Sequence, residues 1–172
     1  VPEAQVELGV WFHDEPPEHR TVLSMFDAQG PHSLDIPPNE IAVTQGTFVL
    51  SAPARIETFQ PHRHMRGKAM SMEAIYPNGE REMLSFVDNF QWNWQINYVY
   101  EEEAAPIVPK GTMILTTAWH DNTAQNPYNP DPNQWVGWGD RTVDEMAHNW
   151  VDVTYLGQEK YERLIAERRA RK

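Results

Sequence analysis

The chain contains no cysteine among its 172 residues, which excludes disulfides, thiolate metal ligands and cysteine nucleophiles. Any metal must therefore be held by His, Asp, Glu or one of the seven Met. Basic residues are also few. The balance of 14 Lys+Arg against 25 Asp+Glu gives a formal net charge of −11, the wrong sign for a general nucleic-acid or anionic-membrane surface, and no basic stripe offsets it. No run of about eighteen apolar residues exists to span a bilayer. The first residues, Val1, Pro2, Glu3 and Ala4, lack the charged and apolar regions of a signal peptide, so the chain reads as soluble, a trimmed product or an excised domain.

What is present reads as short strands between turn signals, in a length that suits one domain with a real core. Residues 6–12 and 20–26 are apolar or alternating runs around the breaker Asp14-Glu15-Pro16-Pro17-Glu18, and are expected to form a first pair of strands. Residues 41–50 and 55–65 follow, rich in β-branched and aromatic side chains. Residues 68–76 and 80–87 flank Pro77-Asn78-Gly79, a strong hairpin signal. Residues 94–100 and 112–119 are further strands, then comes a long Asn/Pro loop over residues 121–134, of a kind more often functional than incidental. Residues 144–156 are read as a strand on the run Val151-Asp152-Val153-Thr154-Tyr155, and residues 158–171 as a helix with Tyr161, Leu164 and Ile165 on one face. The predicted fold is all-β, an antiparallel, jelly-roll-like β-sandwich of about eight or nine strands over residues 1–157, with a C-terminal helix and basic tail over residues 158–172.

Chemistry concentrates in Gln60-Pro61-His62-Arg63-His64-Met65-Arg66-Gly67-Lys68. Residues two apart on a strand share a face, so His62 and His64 are placed to act together. Two adjacent imidazoles form half of a metal site and suit copper, zinc, iron or nickel. His13, His19, His32 and His120 stand alone, and a lone histidine is usually a surface or hydrogen-bonded residue. Met146, beside aromatic residues, reads on its own as core packing.

The sequence His62-Arg63-His64, then Gly67-Lys68, then Phe90-Gln91-Trp92-Asn93-Trp94-Gln95, then Thr142-Val143-Asp144-Glu145-Met146, resembles the C-terminal catalytic domain of the copper type II, ascorbate-dependent monooxygenases. The resemblance spans roughly residues 36–156. It implies a secreted or periplasmic oxidoreductase in which His62, His64 and Met146 bind one copper per chain, the thioether favouring Cu(I). With O2 and an external reductant such as ascorbate, a small-molecule substrate would be hydroxylated at a C–H bond. It further implies a second copper on a neighbouring domain that this chain lacks, and nothing assembles His13, His19 and His32 into that site. No nucleic-acid or membrane partner is expected.

Departures from the family narrow the expectation. The residue after the methionine, commonly cysteine in the family, is Ala147. The positions at which the peptide-processing member clamps a carboxylate are Gln60, His148 and Trp150, so the guanidinium fork is gone. The expected substrate is uncharged or cationic and stacks near Trp150. If residues 144–156 form one strand, His148 shares a face with Met146, as an added ligand or as a support for one. Two other readings stay open: a copper-binding module for storage, delivery or electron transfer without turnover, and a jelly-roll domain whose histidines bind zinc or nothing.

Overall fold

The computed structural model describes residues 5–28 and 34–171. Among them are twelve strands and one helix: β1 (Thr21–Met25), β2 (Asp35–Ile36), β3 (Ile41–Val49), β4 (Ala54–Ile56), β5 (Thr58–His62), β6 (Gly67–Ile75), β7 (Arg81–Val87), β8 (Tyr98–Val99), β9 (Ile107–Val108), β10 (Met113–Asp121), β11 (Val136–Gly137), β12 (His148–Tyr155) and α1 (Gln158–Ala170). Four of the strands are only two residues long, leaving eight of substance. All pairings between strands are antiparallel. The expected all-β sandwich with a C-terminal helix is what the chain forms.

One sheet runs β3-β10-β6-β7. The other runs β8-β5-β12-β4-β9, with β1 on the free side of β12. Strand β10 shows why the sheets stack: Ile114, Thr116, Ala118 and His120 are fully buried, while Met113, Leu115 and Trp119 alternate with them at the other face. Val151 and Val153 of β12 meet them from the opposite sheet, with Phe26, Leu50, Ile56, Phe59, Met70 and Met72 in the same core. Each such side chain contributes about 1.5–3 kcal/mol through burial. The period-2 alternation turns the intervening residues of β12, His148, Trp150 and Asp152, to the other face.

The hairpin between β6 and β7 forms as its sequence predicts. Gly79 adopts φ 86° and donates its N–H to the Tyr76 carbonyl at 2.9 Å, a left-handed position that favours glycine. Elsewhere the sequence expectations need correction. Residues 6–12 form no strand; their apolar side chains stand in solvent, Val6 and Phe12 each 90% exposed. β1 pairs with β12 instead, so residues 6–12 have composition but no partner ladder. Residues 55–65 are split where Glu57 donates to the Asp152 carbonyl, and β5 ends at His62. Residues 94–100 shrink to β8, since Trp94 and Ile96 are drawn into turns by bonds to the Gln91 and Trp94 carbonyls. Finally, β12 begins at His148 rather than at residue 144, because Glu145 exchanges backbone hydrogen bonds with Gly137 and Gly139. Met146 therefore does not share a strand face with His148.

Candidate metal centre

Strands β5 and β12 bring four of the singled-out side chains together. In their register His148 lies opposite His62 and Trp150 opposite Gln60. Because each pair is two residues from the next, all four project to one face. The His62 and His148 rings stack with centroids 6.2 Å apart, and Trp150 lies 5.9 Å from His148. His64, just past the end of β5, stands edge-on to His62 at 5.7 Å. The pairing of His62 with His64, expected from spacing, holds even though the strand stops between them.

The backbone of Met146 is tied to the His64 segment through the Glu145 carboxylate. The Glu145 side chain, fully buried, accepts from the backbone N–H of Arg66 at 2.6 Å, of His64 at 3.0 Å and of Met146 at 3.3 Å. Both oxygens accept, the arrangement an ionised carboxylate satisfies. Burial raises its pKa, and the amides of Arg66 and His64 together with nearby positive charge oppose that rise. The Met146 carbonyl accepts from Nε2 of His120 at 3.0 Å. Burial, reinforced by the Arg63 guanidinium, pushes His120 down to about 3, so it is neutral at pH 7, with Nε2 carrying the proton. Its Nδ1 has no partner.

Two arginines anchor the segment that carries the histidines. Arg63 is buried beneath the pair and donates to the carbonyls of Ala69 at 2.6 Å and Trp119 at 3.2 Å. Burial lowers it to about 9, with Glu145 opposing, so it stays a cation at neutral pH. Arg66 donates to Asn122 Oδ1 at 2.8 Å and to the Val143 carbonyl at 2.9 Å. Asn122 in turn donates to the carbonyls of Pro37 and Gln134, and Asn126 to that of Met65. The long loop over residues 121–134 is thus stitched to the histidine segment. Gly67 has a steric reason to be glycine: a Cβ there would lie 2.7 Å from Arg63 Cβ and 2.8 Å from the Phe90 ring.

Two of the imidazoles have one ring nitrogen fixed by an acceptor. His64 Nδ1 sits 3.0 Å from the Asp144 carbonyl, which can only accept, so the proton is on Nδ1 and Nε2 keeps its lone pair. His148 Nδ1 lies 2.7 Å from an Asp27 carboxylate oxygen and is fixed the same way. Anchoring one ring nitrogen to a carbonyl or carboxylate is how metal-binding histidines are usually held. Burial, then the neighbouring His64 and His148, lower the His62 pKa, favouring the neutral form that coordinates. Among the described residues no group of three or more His, Asp and Glu is placed to hold a metal. His148 therefore does not complete a ready three-imidazole cage. Two imidazoles on a segment tied through Glu145 to the one that carries a thioether do fit the donor chemistry of copper.

The remaining expectations fall elsewhere. His13 is exposed, and His19 is half-buried against Glu18, while His32 lies outside the described residues. Sequence reasoning passed over Glu145 and underrated His120. Glu145 stood inside the quoted Asp144-Glu145-Met146 motif, but nothing beside it in sequence marked it as buried. A cleft of about 730 Å³ lies away from the histidines, between α1 and the segment before β9, lined by Arg55, Glu102, Ile107, Leu164, Ile165 and Arg168. On the histidine face Gln60, His62, His64 and Trp150 are half-buried and His148 is buried.

No family model matches the chain, and no curated protein matches it. Among solved structures the chain is similar to one titled "Structure of infectious bursal disease virus Gx strain", at 7% identity and a TM-score of 0.35. The match covers 91% of this chain and 38% of that one, so this chain spans well under half of its length. A likeness that weak carries no argument about function.

Proposed function

We propose that this chain is a mononuclear copper-binding oxidoreductase domain that hydroxylates a C–H bond of a small molecule, using O2 and an external reductant such as ascorbate. The supporting observation is the convergence of two imidazoles, His62 and His64, with the Met146 segment through the buried Glu145 carboxylate. His62 and His64 would hold the metal through their free ring nitrogens, and Met146 would supply a soft donor that favours Cu(I). Bound there, copper supplies one-electron chemistry and activation of O2. A second electron would come from the reductant or from a partner domain carrying another copper.

The chain's own residues shape what can approach. Gln60, His148 and Trp150 offer an amide, an imidazole and an aromatic surface beside His62. Arg63 and Arg66, the cations close by, are buried and committed to carbonyls, so neither is free to pair with a substrate carboxylate. Asp152, two residues beyond Trp150 on the same face of β12, adds negative charge. An uncharged or cationic substrate stacking on Trp150 suits this wall better than an anion.

A second reading is a copper-binding module without turnover of its own, which the same two imidazoles would serve. The test supplies copper, ascorbate and O2 with glycine-extended peptides, aryl-alkylamines and neutral aromatics, following oxygen uptake and hydroxylated product. The monooxygenase reading expects product from the amines or neutral aromatics. Turnover confined to the peptides would overturn the substrate class. Copper binding without any turnover would select the second reading.

A further inference from the structure

We infer that Glu145 is the positioning residue of this centre, a buried carboxylate that clamps the two ligand-bearing segments to each other. The inference rests on the copper reading above. His64 and Glu145 are 81 positions apart in sequence, and β5 and β12 meet through His62 and His148, leaving both His64 and Met146 off the ladder. No strand hydrogen bond fixes either of them. Glu145 does so instead: one oxygen accepts from the His64 and Met146 amides and the other from Arg66. The carboxylate is itself held in place, fully buried above Arg63, with its own backbone pinned to Gly137 and Gly139. A buried charge is expensive to keep, and this one sits where two loop segments must keep a fixed separation.

The consequence is selective. His62 ends a strand and keeps its ladder bonds without Glu145. His64 retains the Asp144 carbonyl at its ring. Met146 keeps its carbonyl bond from His120 and the backbone bonds of its neighbour Glu145, so what the carboxylate sets is the separation between the Met146 segment and the one that carries both imidazoles. Loosening the clamp therefore removes the thioether before the imidazoles, and lowers the preference for Cu(I) over Cu(II) rather than all copper binding.

The experiment compares wild-type, Glu145→Leu and Glu145→Gln proteins. Leu removes every acceptor, while Gln can keep one oxygen toward His64 and Met146. The readouts are affinity for Cu(I) and for Cu(II), and the sulfur contribution to X-ray absorption of the Cu(I) form. Glu145→Leu is expected to lose the sulfur contribution and at least about tenfold in Cu(I) affinity, a loss of about 1.4 kcal/mol, while Cu(II) affinity falls less; Glu145→Gln is expected to recover most of both. A folded Glu145→Leu protein with wild-type sulfur scattering and Cu(I) affinity would overturn the inference. Should that variant not fold, amide hydrogen exchange in the metal-free wild-type protein decides. The His64, Arg66 and Met146 amides are expected to exchange as slowly as core-strand amides, and exchange as fast as exposed loops would overturn the clamp. A wild-type protein that binds neither copper ion would instead sink the copper reading, and amide protection would still score the clamp.

Discussion

The two ends of β12 are built differently. Near His148, the strand meets a cluster in which Glu145, Arg63, Arg66, His120 and Asn122 are all nearly or fully buried and bound mostly to backbone atoms. Roughly 23 Å further on, at about 3.3 Å per residue, Tyr155 leads into α1, none of whose side chains is buried. That helix is held by exposed charges, such as Arg171 with Glu103, and by a donation from Arg168 to the Glu102 carbonyl. A large cleft is at the helix and the buried polar groups are at the histidines. Cavity size is a poor guide here, because buried polar groups are costly unless satisfied, and this chain concentrates them under His62 and His64.

From that contrast, substitutions at the histidine end should dominate stability. Removing the charge with Arg63→Met leaves the Ala69 and Trp119 carbonyls without their donor and strips Glu145 of an opposing charge. Breaking one partner of a buried charged cluster typically costs about 3–5 kcal/mol, enough at about 2–4 °C per kcal/mol for a chain of this size to lower Tm by about 6 °C or more. Thermal unfolding followed by circular dichroism checks it; an unchanged Tm would break the comparison. Gly67→Ala should be milder, at about 1–3 kcal/mol for overpacking against Arg63 and Phe90, measured by urea denaturation.

Two further variants sharpen the contrast. Met146→Ile should weaken Cu(I) by about tenfold, about 1.4 kcal/mol, and Cu(II) much less, since the soft ion gains most from sulfur. Competition titrations with chelators specific for each ion would show it, and equal losses would return Met146 to core packing. The smallest effect is expected at the other end. Ending the chain at Gly157 removes α1 and its exposed ion pairs, each worth about 0–1 kcal/mol. Copper stoichiometry should not change, and a chain that lost copper on this truncation would show that the two ends are coupled.

The parts of this architecture that local sequence controls were legible. Asn78-Gly79 announced its hairpin, Tyr161, Leu164 and Ile165 outlined α1, and the spacing of His62 and His64 placed their rings together. Gln60, His148 and Trp150, singled out from the resemblance, do gather beside His62. What stayed hidden depended on distant partners. Residues 6–12 have a strand's composition, but β12 offers its free side to β1. His120 looked like any lone histidine until its ring met the Met146 carbonyl, 26 positions away. Glu145 could not be weighed from its neighbours in sequence, because its three donors include two on the far side of the chain.

The most direct test of the proposed copper site is metal analysis of untagged wild-type and His62→Ala proteins, each loaded with copper under reducing conditions and desalted. The account predicts one tightly held copper per wild-type chain and none in His62→Ala, with both proteins folded by circular dichroism. Equal copper in the two proteins would contradict it.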